Sequence, residues 1–418
     1  MISGKWGTFL AVMVAITIPL EKLTFASLVP ADLFLVLLMV SVWPILLRRN
    51  VKVYFPLAFA MWVIFVGSLI ATLSAVDIPS ATIAMLQEVY LYVAFLTLAN
   101  AFVGEKERRA FQIAWVIVAA LEGVLLLSGR GGVGPDFATS VVGRGDNLED
   151  IGRAVGTFQN ANAAGGYMLI SFFVALALPW PKNRWLKAGL LAAHLGGIVG
   201  TGSNAALAGW GFGLAVFILY WLLQKGRALL GVVGLGTVVA STALVVLYLL
   251  WPAIAPALNA SSSESPLFAY LRLADKLGKR QVLWEDGWRI LEKYPLGIGP
   301  SVSRTLIDIG LHSDYVAFMV ERGPLGIIGL ALLVSEPVLW LALTHRRCRT
   351  PDQLWATGAL FAGLLSVLSF ATSHEVTHGR SVWMLLIVIF THYTLLIPAL
   401  APRVKKLTAS VQATLGRA

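Results

Sequence analysis

Long apolar runs separated by short polar stretches fill most of this 418-residue sequence. A helix that crosses a bilayer needs about 20 mostly apolar residues. The runs predict about twelve such spans, with the approximate bounds 6–20, 31–47, 53–73, 81–103, 111–128, 160–180, 185–200, 204–223, 228–252, 323–344, 353–373 and 381–400. We therefore expect an all-α polytopic membrane protein.

The composition supports this class. Charged residues make up 13% of the chain and hydrophobic residues 58%, whereas a soluble domain has about 25% charged residues. So little polar surface cannot cover a water-soluble body. The net charge of +10 would suggest a nucleic-acid partner in a soluble protein. Here much of the positive charge lies in short loops, where it reports topology, and no nucleic-acid partner is predicted.

The positive charges alternate between loops. Counting from a cytoplasmic N-terminus, the loops predicted to be cytoplasmic carry Lys and Arg, at positions 48, 49, 52, 106, 108, 109, 182, 184, 187, 225, 227, 346, 347 and 349. The short loops of the other set carry almost none. The positive-inside rule then predicts both termini in the cytoplasm. The first apolar run resembles a signal peptide, but Glu21-Lys22-Leu23 follows it in place of a cleavage site, so we expect a retained span.

Two long loops, 129–153 and 253–312, are predicted on the outer side. The second is expected to form amphipathic helices on the membrane surface between spans 9 and 10, and it divides the chain into the segments 1–252, 253–312 and 313–418. Both loops contribute to an unusual concentration of positive charge, made up of Arg144, Arg153, Arg272, Lys276, Lys279, Arg280, Arg289, Lys293 and Arg304, with Arg380 from the last outer loop.

This outer basic cluster has two interpretations. The planar guanidinium of arginine binds phosphate oxygens through two parallel hydrogen bonds, so converging arginines would suit a diphosphate. The alternative is a solvated surface helix that touches anionic lipid head groups. Outer loops normally avoid such charge, and the cluster as a whole therefore favours an anion-binding function.

His312 stands just ahead of an apolar helix. Histidine titrates near neutral pH and can accept a proton from a hydroxyl nucleophile; the alternative is an interfacial histidine with no role. Glu321 and Arg322 follow near the start of a span, where ionisable groups usually face a protein interior or a water-filled cavity. Glu88, in the middle of a span, either pairs with an arginine or takes part in catalysis.

Two motifs suggest other functions. Residues 374–378 read His-Glu-Val-Thr-His, the zinc-protease pattern when it lies on a helix. A third ligand is lacking, so the favoured interpretation is that His374 and His378, with Arg380, line the same outer cavity as His312. The Gly-x-Gly-x-x-Gly pattern at 129–134 follows a span instead of a strand, which excludes a dinucleotide site. No metal and no cofactor are predicted.

Three stretches resemble the bacterial O-antigen ligase and polymerase superfamily of membrane glycosyltransferases. They are 153-RAVGTFQNANAAGGYM-168, 280-RQVLWEDGWRILEKYPLGIG-299 and 312-HSDYVAFMVERGPLGIIG-329, in the family's order and spacing. Two departures are Ser313, where the family often has asparagine, and Asn204, where many members have arginine.

The resemblance implies a reaction in which a glycan is transferred en bloc from undecaprenyl diphosphate to a sugar of lipid A–core. It takes place at the outer face of the bacterial inner membrane and requires no metal. Our hypothesis is that Arg153, Arg280, Arg289 and Arg304 hold the diphosphate. His312 would act as the base, Glu321 would orient His312 or the acceptor, and Asn162 would add to the cavity. A repeat-unit polymerase, a protein O-glycosylating enzyme and a transporter remain alternatives. Expected partners are the lipid-linked glycan, lipid A–core and membrane lipids.

Overall fold

The computed structural model describes residues 4–23, 28–48, 53–101, 105–130, 153–224, 273–307 and 311–396. These ranges form thirteen helices: α1 (Gly4–Thr17), α2 (Pro30–Arg48), α3 (Ala58–Leu73), α4 (Ile78–Ala101), α5 (Glu105–Arg130), α6 (Ala161–Ala177), α7 (Arg184–Thr201), α8 (Asn204–Leu223), α9 (Leu273–Lys293), α10 (Ser303–Ile307), α11 (Asp314–His345), α12 (Pro351–Ala371) and α13 (Arg380–Leu396). The predicted helical class is confirmed.

Most predicted spans coincide with helices. In the part described, α4, α5, α8, α11 and α12 are long and apolar enough to cross a membrane, and α1, α2, α3, α6 and α13 are shorter apolar helices. These helices support a multi-pass membrane protein. The predicted span 228–252, most of the loop 129–153 and residues 253–272 lie outside the described residues, so the count of twelve stays a prediction.

Two helices occupy the centre of the bundle. Every residue of α6 from Ala164 to Ala177 is buried, and so is every residue of α13 from Trp383 to His392. A helix that is apolar on all sides is stable where lipid or other helices surround it, and here other helices do so. Both helices begin at the same end of the bundle, so the residues just before them lie where the surrounding loops meet.

The predicted outer loops gather at that end. Lys22 N donates to Thr157 O at 2.9 Å, which joins the α1–α2 loop to the segment before α6. Arg380, at the start of α13, binds both carboxylate oxygens of Asp32, at the start of α2, at 2.9 and 2.7 Å. These contacts join the loops that precede α2, α6 and α13.

A break divides α11. Gly323 has φ 61° and ψ −154°, and Pro324 has no N–H to give to Val320 O. A chain segment from the preceding loop supplies the missing donors: Ile298 N donates to Val320 O at 3.2 Å and Gly299 N to Glu321 O at 3.0 Å. The predicted span 323–344 therefore begins at the break, and the structure adds a shorter helical piece from Asp314 before it.

Candidate active site

A cavity of about 700 Å³ lies at the end of the bundle where α6 and α13 begin. One wall is apolar and includes Ile18, Phe158 and Phe370. Its polar side chains come from five separate parts of the chain: Glu21, Arg153, Gln159, Asn160, Asn162, Arg304, His312, His374, Glu375 and Arg380. Six predicted site residues thus meet in one cavity: Arg153, Asn162, Arg304, His312, His374 and Arg380.

The segment 153–163 is shaped by its own sequence. Gly156 has φ +54°, and a Cβ there would lie 1.8 Å from Oε1 of Glu122. That carboxylate accepts from Thr157 N at 2.8 Å. Asn160 caps α6 by accepting from Ala163 N at 2.8 Å, as N-cap residues do. The first motif is therefore a folded turn that leads into α6.

That turn presents Arg153 to the cavity. Its Nη2 donates to Oδ1 of Asn162 at 2.7 Å, and its Nε donates to Thr201 O at 3.1 Å. These two bonds orient the guanidinium. An oriented arginine is suited to bind a diphosphate oxygen.

Arg304 enters from α10 and meets Glu375. Its Nη2 lies 2.7 Å from Oε2 of Glu375. Burial acts to lower the pKa of Arg304, but the charge and hydrogen bond of Glu375, with the charge of Glu321, outweigh burial and raise that pKa. The guanidinium thus carries a charge that the cavity already compensates with a carboxylate.

His312 and His374 stand side by side. Their ring centroids are 6.3 Å apart and their planes are nearly perpendicular, and the ring of His374 also lies 4.6 Å from that of Phe370. His312 has φ 51°, a conformation that is uncommon for residues other than glycine. Strain of this kind is found at functional sites when surrounding contacts hold it.

Asp314 supplies part of that support. Its carboxylate accepts from Val376 N at 3.0 Å, from Thr377 N at 3.1 Å and from the Thr377 hydroxyl at 2.9 Å. These bonds fasten the α12–α13 loop to the start of α11. They keep the two histidines in one wall of the cavity.

The zinc-protease pattern does not form its usual structure. Residues 374–378 lie in the loop between α12 and α13, so the two histidines do not share a helix face, and Glu375 is paired with Arg304. His374 lines the cavity, whereas His378 is not among its lining residues. In the described ranges, no three His, Cys, Asp or Glu side chains stand together as a metal site would require.

Comparison with known families adds the decisive observation. Residues 188–333 match the family model described as O-Antigen ligase. The match is to the O-antigen ligase family. It includes the second and third motifs, with Arg304 and His312, and it confirms the resemblance seen in the sequence. No curated protein matches the chain.

An O-antigen ligase family region thus supplies only part of the cavity. Arg153, Asn162, His374 and Arg380 lie outside residues 188–333 but line the same space. The family points to a membrane enzyme of the glycosyltransferase kind. The helices before and after the matched region complete its candidate site.

Three further predicted site residues remain, namely Arg289, Arg280 and Glu321. Arg289 is exposed on α9 and pairs with Asp286 at 3.2 Å. Arg280 belongs to α9, but its side chain is outside the description. Glu321 is buried and does not line the cavity; its carboxylate accepts from Ser303 at 2.5 Å and from Arg322 at 3.1 Å. Orientation of His312 by Glu321 has no geometric support.

Glu88 was predicted either to pair with an arginine or to take part in catalysis, and its observed partner is Arg322. It forms an ion pair with Glu88 and donates to the Ser68 hydroxyl at 3.2 Å. Structural pairing with an arginine is therefore the observed state of Glu88. A buried carboxylate without such a partner would be costly.

Sequence reasoning missed two carboxylates that line the cavity. Glu21 lies in the α1–α2 loop, where Gln159 donates to its carbonyl at 3.3 Å. Burial raises the pKa of Glu21, and the charge of Arg380 offsets part of that effect. Glu375 was seen only as part of the zinc pattern. An acid in a loop among apolar runs is the signal that could have found Glu21.

Proposed function

We propose that this protein is an O-antigen ligase, which transfers a polysaccharide en bloc from undecaprenyl diphosphate to a sugar hydroxyl of lipid A–core and so forms lipopolysaccharide. One observation carries the proposal: Arg153 of the first motif, His312 of the third motif and Arg304, which lies between the second and third motifs, line a single cavity. A cavity with oriented guanidinium groups and an imidazole suits a reaction in which a diphosphate leaves and a hydroxyl loses its proton.

The arginines would hold the donor. Arg153 is already oriented by Asn162, and Arg304 would exchange its bond to Glu375 for a bond to phosphate oxygen. Negative charge grows on the diphosphate as it leaves, and fixed cations stabilise that charge. Arg280 is proposed for the same role. Arg289, exposed on α9, would contact the donor outside the cavity.

His312 would be the general base. It accepts the proton of the acceptor hydroxyl while that oxygen attacks the anomeric carbon from the side opposite the diphosphate. The bond from carbon to the phosphate oxygen breaks, undecaprenyl diphosphate leaves with the electron pair, and the anomeric configuration inverts. No step requires a metal ion, an oxidant or a nucleotide.

The carboxylates of the cavity would contact sugars. Glu21 and Glu375 can accept hydrogen bonds from hydroxyl groups. The Asn160 and Asn162 amides offer both donors and acceptors. The proposed site thus has groups for a sugar as well as for phosphate.

The proposed location is the bacterial inner membrane, with both termini in the cytoplasm and the cavity on the periplasmic side. Support comes from the loops around the cavity, which are those that the positive-inside rule assigns to the outer side. The partners would be the undecaprenyl-diphosphate-linked glycan, lipid A–core and membrane lipids.

The test is reconstitution in detergent. Purified protein is mixed with undecaprenyl-diphosphate-linked glycan, rough lipopolysaccharide and EDTA, and the products are separated on a gel. A ladder on lipid A–core, absent with His312→Ala, is expected. Longer glycan on the lipid carrier would instead indicate a polymerase, protease-sensitive product a protein-glycosylating enzyme, and no product of any kind would overturn the proposal.

A further inference from the structure

We propose that Ser303 and Glu321 are positioning residues, which fix the guanidinium of Arg304 at the cavity without touching the substrate. This inference rests on the proposed function, because it assigns Arg304 to the donor diphosphate. It gives Glu321 a different role from that of orienting His312 or the acceptor.

The contact between the two residues is short and fully enclosed. Ser303 is 0% exposed and Glu321 1% exposed, and the Ser303 hydroxyl donates to Oε1 of Glu321 at 2.5 Å. A hydrogen bond from a hydroxyl to an ionised carboxylate is about twice as strong as one between neutral groups. Removing either partner leaves a buried polar group unsatisfied.

Ser303 is the first residue of α10, and Arg304 follows it directly. A helix of five residues cannot hold its own conformation, because forming the first turns is unfavourable. External contacts must therefore fix α10. The bond from Ser303 to Glu321 is the buried one, whereas the side chain of Arg304 is 58% exposed.

Glu321 is itself held on the other side. Arg322 Nη1 donates to its Oε2 at 3.1 Å, and Arg322 is anchored by Glu88 and Ser68 and lies 4.3 Å from the ring centroid of Phe318. The carboxylate is thus tied to α3 and α4. The buried carboxylate therefore has a charged partner in the interior.

The backbone of Glu321 adds a second connection to the same segment. Gly299 N donates to Glu321 O at 3.0 Å, so Glu321 binds the chain at two points, four residues apart, just before Arg304. Glu375 meets Arg304 from the cavity side. Arg304 is therefore held between a buried support and a carboxylate on the cavity side that a ligand can replace.

The test is a double-mutant cycle on donor binding. We would measure the Kd of geranylgeranyl diphosphate, a short polyprenyl diphosphate, for the detergent-purified protein and for Ser303→Ala, Arg304→Ala and the double variant. Ser303→Ala should weaken binding about fivefold to tenfold, but should cause no further loss when Arg304 is already alanine. Thr305→Ala, exposed on the same helix, is the matched control and should bind normally.

Several results of this cycle would overturn the inference. An equal loss from Ser303→Ala in both backgrounds would mean general structural damage and would overturn the inference, as would no loss at all. If Arg304→Ala binds normally, the diphosphate role of Arg304 fails and the inference fails with it. If Ser303→Ala does not fold, Glu321→Gln replaces it in the cycle, because the amide oxygen still accepts from Ser303. A smaller loss of donor binding is then expected, and only when Arg304 is present. A loss of binding that does not depend on Arg304 would refute the inference.

Discussion

Arg304 and Glu375 form an ion pair of 2.7 Å across 71 positions of sequence. The carboxylate is nearly buried and the guanidinium is half exposed. Glu375 therefore occupies the face of Arg304 that a phosphate oxygen would use. It keeps the cation compensated until an anionic ligand displaces the carboxylate.

Removing this competitor should strengthen donor binding. Glu375→Gln keeps the shape of the side chain but not its charge. Because a partly exposed ion pair contributes about 0.2–1 kcal/mol, we expect polyprenyl diphosphate to bind up to about fivefold more tightly. Titration of the detergent-purified protein with geranylgeranyl diphosphate measures the change.

The matched control for that experiment is Asp352→Asn. Asp352 is exposed in the first turn of α12, at the end of that helix away from the cavity, so its removal should leave the Kd unchanged. Equal tightening in both variants would indicate a general effect of net charge. Weaker binding in Glu375→Gln would contradict the displacement of Glu375 by the ligand.

The sequence predicted the parts of the fold that depend on local patterns. Apolar runs predicted the helices because burial in lipid or protein requires them. The Gly323-Pro324 pair predicted where the span 323–344 begins. Proline has no backbone N–H to donate to the preceding turn of a helix, and glycine tolerates a positive φ. The first and third motifs also named Arg153 and His312, and the outer basic cluster named Arg304. The structure brings all three into one cavity.

What the sequence could not predict depends on tertiary contacts. The partner of Arg304 lies 71 positions away, and no local pattern indicates that Glu375 faces it. Glu321 fitted a catalytic role by its position near a span, but its carboxylate faces Ser303 and Arg322. The zinc pattern at 374–378 depends on a helix, and the loop that contains it is not helical.

Loss of the proposed base should abolish most transfer but not donor binding. His312→Ala should lower the rate of transfer by about 10²–10⁴-fold, the usual contribution of a general base, with the Kd for geranylgeranyl diphosphate nearly unchanged. His345→Ala is the control, because His345 bonds Tyr220 at the opposite end of α11. A control variant as slow as His312→Ala would point to a loss of folding.

Arg153 should be sensitive even to lysine. Its guanidinium uses Nη2 and Nε to reach Asn162 and Thr201, and an ammonium group cannot reproduce that geometry. A hydrogen bond to a charged group contributes about 1.5–3 kcal/mol, so Arg153→Lys should weaken donor binding by roughly tenfold or more. Binding as tight as in the parent protein would remove Arg153 from the diphosphate site.

Gly297 should be essential to the junction between the second and third motifs. It has φ +95°, and a Cβ there would lie 2.6 Å from Glu321 O. Gly297→Ala should therefore lower the Tm, with a backbone cost of at least about 1 kcal/mol and a steric cost in addition. Thermal unfolding in detergent measures the effect.

Gly211 provides the matched comparison. It lies within α8, and a Cβ there would meet no atom within 4 Å. Because alanine favours a helix over glycine by about 0.5–1 kcal/mol, Gly211→Ala should keep or raise the Tm. Similar destabilisation at both positions would mean that the detergent-solubilised protein tolerates no change at either glycine. The positive φ and close backbone contact of Gly297 would then not explain its effect.

Glu21 should lower stability at neutral pH. Burial raises its pKa above the ordinary value of 4.5, and Arg380 offsets only part of that rise. The folded protein therefore holds this proton more tightly than the unfolded chain does, and the stability linked to Glu21 falls as pH rises from 4.5 through the raised pKa. Glu21→Gln should raise the Tm at pH 7.5, and its advantage should vanish at pH 4.

The same variant should bind its acceptor less well, because Glu21 lines the cavity where a sugar hydroxyl would donate. The exposed Glu292 of α9 offers the control, and Glu292→Gln should change neither property. A destabilising acid is expected to serve a function. A Glu21→Gln variant that is both more stable and fully active would therefore show that the carboxylate has no part in the reaction. A higher KM for rough lipopolysaccharide, with unchanged Kd for geranylgeranyl diphosphate, would assign Glu21 to the acceptor side of the cavity.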